Sequence, residues 1–437
     1  MLTTPFVDVQ DTEEFMAGAI ERGHYAEALN AVIRCVDALV PRADLLGRAL
    51  LVPFLDQLVC EIGERLAQQH CPDGVQAGGG VQLVVATETY TTGGHSRVLE
   101  DLCRHLSQPL IVLTDLFGRV GAGTLTIDHL RYAAGGAPVL VLPPGTALAK
   151  AIDLMRTAVQ LRPDSIWLLT HHQDAIACAA LSPRRLRIPR VFVHHADHNP
   201  SLGCTIDTLH HVDLVQQTAL ACAMALQRDT GYLPLHVHDR GARPQPRRPI
   251  TQASVATCGA PQKYARSGPL AYPLIVAAVL GTVGGVLHHI GPLPDDAVAE
   301  VRTHLATLGI APARFHHVGA VPSMWACLRE LDADLYLTSA PLGGGRAAIE
   351  AQGCAMPIVY YDPRDSGRSL LATDMYNGAA HGWSHLAQLT GALRAALADA
   401  PAQSLASRAF YEAGFGSAAF SAALQRALRA SQALIEA

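Results

Sequence analysis

The segment PLGGGRAAIEAQGCAMPIVYYD, residues 341–362, combines residue types that can bind a phosphate-bearing ligand. Three consecutive glycines stand directly before a short Ala-rich helix pattern: Gly343, Gly344 and Gly345. Glycines let a ligand approach the main chain closely, and the first N–H groups of a helix attract anions. Arg346 would favour an anion nearby, and the Glu350 carboxylate could accept hydrogen bonds from ribose hydroxyls. The alternative is a tight turn followed by an ion pair between Arg346 and Glu350, worth only about 0.2 to 0.5 kcal/mol.

Two more loops place glycines after an apolar strand pattern. VVATETYTTGGHSRVLEDL puts Gly93 and Gly94 ahead of a helix, and ATCGAPQKY puts Gly259 and Lys263 after another strand. The chain has only two lysines, Lys150 and Lys263, although Lys and Arg together number 33. A compact ammonium suits phosphate as a point charge. Either loop alone is common in nucleotide-binding folds, but together with the triple glycine they are a more specific indication of a phosphate-bearing ligand.

Histidine pairs follow several apolar runs, and the densest group is HHADH, residues 194–198. His195 or Asp197, at the end of a strand, could serve as the general base that deprotonates an acceptor, and His95 competes for that role. A metal site is the alternative, because three His and one Asp lie within five residues. Neighbours this close in a strand or loop seldom share one ion, so we expect no metal there. Most of the other histidines are expected to be structural.

Alternating strands and helices are predicted to position these loops. Residues 1 to about 75 show helical spacing only, whereas continuous apolar strands and amphipathic helices alternate from about residue 80. This alternation indicates parallel sheets covered on both faces, with ligands bound at the carboxyl ends of the strands. The predicted strands form two series: VQLVVAT, PLIVLTD, PVLVLP, SIWLLTH, RVFVHH and VDLVQQ, then ASVATCG, GGVLHHIG, ARFHHVG, ADLYLTS and MPIVYYD.

The Pro- and Arg-rich segment HDRGARPQPRRPITQ, near residues 238–252, separates the two series and is predicted to be an exposed linker. We therefore predict an α/β protein with two Rossmann-like domains. The regions are a helical domain over 1–76, a first Rossmann-like domain over 77–245, a second over 246–385, and C-terminal helices over 386–437 that pack back toward the first.

The amino-acid composition limits the kinds of molecule that this protein is expected to bind. The 437 residues are 49% hydrophobic and 16% charged with a net charge of -5, which gives no reason to expect nucleic acid or an anionic membrane. The N-terminal sequence MLTTPFVDVQDTEEF is acidic where a secretory signal would be basic, so a cytoplasmic protein is expected. The charge-free stretch from Ser267 to Leu287 is interrupted by Pro and Gly, which favours a buried helix and strand over a membrane span. The ten cysteines lack any CxxC pair and are expected to be reduced.

With these motifs the sequence resembles the two-domain GT-B glycosyltransferases over about residues 80–437. Their motif EA-x-x-x-G-x-P-I/V-V is matched by Glu350, Ala351, Gly353, Pro357, Ile358 and Val359. The resemblance implies a nucleotide-sugar donor as substrate and no separate cofactor. It assigns Glu350 to the ribose, the triple glycine to the diphosphate or sugar, and Lys263 to the leaving diphosphate. It also implies that the Gly93–Gly94 loop faces the cleft between the two domains.

One departure from the family bears on the mechanism. Retaining members usually carry a second Glu eight positions before the ribose-binding one, and Leu342 occupies that position here. Direct displacement with inversion is therefore slightly favoured, without a catalytic metal and with a base from the first domain. The acceptor is left open between a polypeptide and a glycan. The helical cap could contact that acceptor, lie against a membrane surface or form an oligomer.

Two other functions fit the same motifs. A nucleotide-sugar epimerase or hydrolase would use the same phosphate loops without a dedicated acceptor. A non-catalytic sensor would keep the donor loops alone. Turnover without an acceptor separates the first from a transferase, and the absence of any turnover identifies the second.

Overall fold

The computed structural model describes residues 13–90, 93–120, 125–195, 198–243, 248–331, 333–366, 368 and 374–436. The chain forms two compact units. The first contains residues 1–234 and 421–437, and the second contains residues 235–420. Each unit has its own parallel β-sheet with helices, as the two series of strand patterns predicted.

The first unit is built on a seven-stranded parallel sheet of order β4-β3-β2-β5-β7-β8-β9. A separate pair of short strands, β1 and β6, is also parallel. The strands are β1 (Val75–Gln76), β2 (Gln82–Ala86), β3 (Pro109–Leu113), β4 (Val139–Val141), β5 (Ser165–Leu169), β6 (Leu186–Arg187), β7 (Arg190–His194), β8 (His210–Asp213) and β9 (Gly231–Tyr232). Every residue of β5 and β7 is buried, which is why their sequences read as continuous apolar runs rather than alternating ones.

Helices cover this sheet. They are α1 (Glu13–Glu21), α2 (Tyr25–Leu39), α3 (Pro53–His70), α4 (Gly94–His105), α5 (Leu125–Ala133), α6 (Ala147–Leu161), α7 (Ala175–Leu181) and α8 (Gln216–Leu226). The predicted helical cap corresponds to α1–α3, and it packs on the unit through α3 against α7 and α2 against α6. Asp56 of α3 also links the cap to the rest of the first unit, because its buried carboxylate accepts hydrogen bonds from the backbone N–H groups of Gly203 and Thr205.

The second unit has a six-stranded parallel sheet of order β12-β11-β10-β13-β14-β15. Its strands are β10 (Val255–Cys258), β11 (Leu287–Ile290), β12 (Phe315–Gly319), β13 (Leu335–Thr338), β14 (Ile358–Tyr361) and β15 (His381–Trp383). The helices that follow are α9 (Tyr272–Thr282), α10 (Asp295–Thr307), α11 (Met324–Glu330), α12 (Gly345–Gly353), α13 (Leu386–Ala398), α14 (Ala400–Gly414) and α15 (Ser417–Glu436). The last helix starts in the second unit, and its residues from 421 onward belong to the first.

The charge-free stretch forms α9 and the start of β11, in agreement with the prediction of a buried helix and a strand. Both elements contribute to the apolar core of the second unit. No helix among the described residues is long and apolar enough to span a membrane. All ten cysteines are free thiols, also as expected, and six of them are buried.

The bounds of one strand and the presence of four short strands differ from the predictions. The pattern VDLVQQ placed a strand over residues 212–217, but β8 ends at Asp213 and Gln216 already begins α8. The strand starts earlier because His210 and His211 pair in register with Val191 and Phe192 of β7. The short strands β1, β6, β9 and β15 were not predicted, because runs of two or three residues have no readable period.

Candidate functional site

The structure brings together two of the predicted donor loops in the second unit. Strands β10 and β13 are neighbours, with Cys258 paired to Thr338 at their carboxyl ends. The loops that follow these strands therefore lie side by side. The Lys263 ammonium, in a short 3-10 turn after β10, donates a hydrogen bond of 3.2 Å to the carbonyl oxygen of Gly343. Two features selected separately from the sequence, the scarce lysine and the triple glycine, are thus in contact, and their role in binding a diphosphate stays a prediction.

Each glycine of the loop borders a side chain of the same unit. A Cβ atom at Gly344 would lie 3.1 Å from the Lys263 Nζ, and one at Gly343 would lie 3.1 Å from the Tyr376 hydroxyl oxygen. At Gly345 a Cβ would lie only 2.4 Å from the sulfur of Met375. Side chains in the loop would therefore displace its surroundings, the lysine included.

Helix α12 starts at this loop and presents its first N–H groups there. Its N-cap residue is Gly344, which supplies no side-chain cap. The Ser339 hydroxyl steadies the preceding turn by donating to the Leu342 carbonyl oxygen at 2.7 Å. The local electrostatics combine the positive end of a helix with the Lys263 ammonium, an arrangement that attracts an anion.

Arg346 and Glu350 make contacts within the second unit. The Arg346 Nε lies 3.3 Å from Glu350 Oε1, and its Nη1 donates to the His236 carbonyl oxygen at 3.0 Å. The other carboxylate oxygen of Glu350 accepts the backbone N–H of Trp325, at the start of α11, at 2.8 Å. The ion pair that was the alternative to ligand binding is therefore present. Since the two side chains remain 21% and 15% exposed, the ribose contact of Glu350 stays a prediction.

Two further glycines have packing roles. A Cβ at Gly353 would lie 1.9 Å from the indole ring of Trp325, so this motif glycine lets α12 pack closely against α11. A Cβ at Gly259 would lie 2.7 Å from the ring of Tyr264. The close approach of an aromatic ring explains the absence of a side chain at both positions.

In the first unit, four histidines converge at the carboxyl ends of β5 and β7. The His95 ring lies 4.5 Å from that of His195 and 5.0 Å from that of His171, measured between centroids. The His172 ring lies 6.3 Å from that of His195. The structure therefore brings together the two predicted histidines, His95 and His195. Asp197, the third candidate, falls outside the described residues.

The hydrogen bonding of His95 assigns its tautomer. Its Nε2 lies 3.0 Å from the Leu169 carbonyl oxygen, which can only accept, so Nε2 carries the proton. The other ring nitrogen, Nδ1, is enclosed and has no hydrogen-bond partner among the described residues. It therefore holds a free lone pair. Helix α4 positions this residue, and it begins after Gly93, whose φ of 126° is readily adopted only by glycine.

The environment keeps these histidines neutral. Burial, and then the neighbouring His171, lower the pKa of His95 to about 4. Burial, and then the Arg119 guanidinium, lower the pKa of His171 to about 4 as well. The pKa of His195 falls well below its usual range for the same reason, burial followed by the proximity of His95. The ring nitrogens of the cluster are therefore uncharged at neutral pH.

Sequence reasoning did not select the residues around His171. The Tyr90 ring stacks on that of His171 at 6.0 Å, and the Tyr90 hydroxyl donates to the buried Glu88 carboxylate. Arg119 lies 3.7 Å from the same carboxylate. Glu88 and Tyr90 follow β2, and His171 follows β5. Their positions after predicted strands were the only signal available, because residues in separate loops share no spacing in the sequence.

No protein-family model matches this sequence, and no curated protein matches it either. Several solved structures are similar to this chain. HepE from Anabaena, crystallised with UDP and glucose, has a TM-score of 0.57 at 14% identity, over 80% of this chain and 100% of HepE. A glycosyltransferase from Rickettsia africae has a TM-score of 0.61 at 11% identity, over 82% of this chain and 99% of its own.

A third match covers more of the chain. A mutant O-GlcNAc transferase from Thermobaculum terrenum has a TM-score of 0.53 at 15% identity, over 98% of this chain and 82% of its own. The chain has the GT-B fold. This confirms the predicted fold class of two Rossmann-like domains. At 11 to 15% sequence identity the comparisons show the fold alone. They do not show which substrates this chain binds.

Proposed function

We propose that this protein is a glycosyltransferase that moves a sugar from a nucleotide-diphosphate sugar to a polypeptide or glycan acceptor. The observation that carries this proposal is the contact between the Lys263 ammonium and the glycine loop at the start of α12. The Lys263 ammonium and the positive end of α12 lie side by side, and together they attract an anion such as a diphosphate. HepE, which shares the fold, was crystallised with UDP, so UDP is the first nucleotide to test.

In the proposed reaction the bond between the anomeric carbon and the diphosphate oxygen breaks, and its electron pair stays on the diphosphate. Lys263 and the N–H groups of α12 stabilise the developing negative charge. They would do so without a divalent metal, in keeping with the expectation from the sequence. The nucleotide-sugar is a substrate, and no separate cofactor takes part.

The acceptor loses a proton as its bond to the anomeric carbon forms. His95 is the favoured base, because its Nδ1 lone pair has no partner among the described residues, and the acceptor would have to displace the side chains that enclose this nitrogen. His195 is the alternative, since its ring lies beside that of His95. Leu342 in place of a second Glu favours inversion at the anomeric carbon.

Two comparisons bear on the acceptor. WaaB, a lipopolysaccharide outer core galactosyltransferase, matches 80% of this chain with a TM-score of 0.58. The Thermobaculum O-GlcNAc transferase matches 98% of it, and therefore extends over residues of the helical cap. The cap is therefore part of what the two chains share, and both acceptor classes should be tried.

The test is a thermal-shift screen of the full chain against UDP, GDP, ADP, CMP and TDP, followed by their sugars. A ligand of the folded state raises the unfolding temperature by mass action. We expect one nucleotide to stabilise the protein, and its sugar to be transferred when acceptor peptides or glycans are added. Stabilisation by none of the nucleotides would overturn the donor site. Rapid sugar release or conversion without an acceptor would indicate a hydrolase or an epimerase, and binding without any turnover would indicate a sensor.

A further inference from the structure

A second group of chemically active side chains lies inside the first unit, on the face of the sheet covered by α8. It consists of His194, His211, Asp213 and Cys222, all of which are fully buried. Asp213 of β8 is paired in register with His194 of β7, and His211 precedes Asp213 by two residues and so shares its face. Cys222 joins them from α8. One potential ligand atom from each residue lies within 4.8 Å of all the others.

The carboxylate of this group is held by imidazoles alone among the described residues. The Asp213 carboxylate is 0% exposed, and no Lys or Arg forms an ion pair with it in the described part of the chain. His194 Nδ1 lies 2.7 Å from one carboxylate oxygen, and His211 Nε2 lies 2.9 Å from the other. The remaining ring nitrogens, His194 Nε2 and His211 Nδ1, find no hydrogen-bond partner among the described residues. Buried ionised groups usually have a counter-charge, such as a metal ion.

We propose that these four side chains bind a structural Zn²⁺ ion. Two neutral imidazoles, one carboxylate and one thiolate are ligands that zinc prefers, and four protein ligands form the closed tetrahedral set of a structural site. Binding displaces the proton of the Cys222 thiol to solvent. The charges of the two negative ligands and the Zn²⁺ ion then sum to zero, so the occupied site carries no net charge.

Two of the distances within the group can be compared with those of a zinc site. Ligands of one tetrahedral zinc stand roughly 3.3 to 3.8 Å apart, from metal–ligand distances of about 2.0 to 2.3 Å. The Cys222 sulfur is already 3.8 Å from Asp213 Oδ1. The His194 nitrogen, at 2.7 Å from that oxygen, would have to withdraw by about half an ångström.

The ion would join β7, β8 and α8 of the first unit. It lies in a site with no open coordination position, so it would stabilise the unit and take no part in transfer. The proposal is therefore independent of the donor site in the second unit. It also differs from the HHADH alternative considered from the sequence, because only His194 of that segment contributes and the other ligands come from β8 and α8.

The test is the metal content of the full chain, expressed without a histidine tag and measured by inductively coupled plasma mass spectrometry. We expect about one zinc per chain after dialysis. Cys222→Ser and Asp213→Asn should each lower the bound zinc by at least about 10-fold. Cys103→Ser is the matched control, because Cys103 is also a buried thiol of the first unit and lies outside the cluster. It should retain the full zinc content.

A second measurement keeps the test decisive if a ligand variant fails to fold. Wild-type protein produced with Co²⁺ should show the near-ultraviolet absorption of a thiolate–cobalt bond, and Cys103→Ser should show it too. Zinc far below one per chain, with no cobalt–thiolate absorption, would overturn the proposal and leave a metal-free hydrogen-bond network. Zinc retained unchanged in a folded Cys222→Ser variant would also overturn it, because the metal would then be bound elsewhere.

Discussion

Replacing His95 by Gln should make the stability of the protein less sensitive to acid. The unfolded chain binds a proton at an imidazole pKa of about 6.5, whereas burial and His171 lower the pKa of His95 to about 4 in the folded state. The lowered pKa means that folding is disfavoured as pH falls below 6.5. This loss grows until about pH 4, where the folded state also takes up the proton.

The size of the effect follows from those two pKa values. At pH 5 the unfolded state gains about 2 kcal/mol from protonating His95, and at pH 7.5 it gains less than about 0.1 kcal/mol. Glutamine does not bind a proton in this pH range, so the variant lacks this contribution to the free energy of unfolding. The stability of His95→Gln relative to the wild type should therefore be up to about 2 kcal/mol more favourable at pH 5 than at pH 7.5. Titrating groups away from the histidine cluster, such as Asp56, are present in both proteins and cancel in the comparison.

The assay is urea unfolding of both proteins at the two pH values, followed by circular dichroism. Val98→Ala is the matched control, because Val98 is a buried residue of the same helix and does not titrate. Its destabilisation should be the same at both pH values. An equal free-energy difference for His95→Gln at pH 5 and pH 7.5 would refute the reasoning, because His95 would then titrate as a solvated imidazole.

Two substitutions of glycine should separate binding from packing. Gly344→Ala would place a Cβ 3.1 Å from the Lys263 Nζ and push the ammonium aside. Nucleotide binding measured by calorimetry should weaken by roughly 3- to 10-fold with little change in melting temperature; unchanged binding would contradict the assigned role of the loop. Gly353→Ala would place a Cβ 1.9 Å from the Trp325 ring. Overpacking of this kind costs about 1 to 3 kcal/mol, so its urea midpoint should fall, and a wild-type midpoint would contradict the packing described here.

Much of the fold could be predicted because each strand is a local pattern. The continuous apolar runs in SIWLLTH and ADLYLTS predict β5 and β13, because parallel strands are buried on both faces. The glycine loop and Lys263 could likewise be selected, because both follow such strands. Strands at neighbouring positions in a parallel sheet bring their loops to the same edge.

The partners of the selected residues could not be predicted. Arg346 bonds to the His236 carbonyl oxygen, 110 residues earlier in the chain, and Glu350 fixes the first turn of α11 through Trp325. These contacts depend on how helices and loops pack after the sheet has formed, and no spacing in the sequence encodes them. The convergence of His95 on His171 has the same origin, since the two residues follow different strands.

The same limit applies to the proposed zinc ligands. His194 and Cys222 lie 28 positions apart in the sequence (222 − 194 = 28) and meet only because α8 packs on the face of β7 and β8 that carries His194. The sequence suggested a metal set within HHADH and argued against it on spacing. The structure assembles a different set from three elements.

The measurement that tests the donor site most directly is isothermal titration of UDP into the full chain and into Lys263→Met. Loss of a charge-assisted contact to phosphate costs about 1.5 to 3 kcal/mol, so the variant should bind UDP roughly 10- to 150-fold more weakly. Arg266→Met is the matched control, because Arg266 is an exposed cation three residues away that pairs with Asp296. It should bind UDP as the wild type does. If Lys263→Met also binds UDP with wild-type affinity, the ammonium does not contact the diphosphate and the proposed site is contradicted.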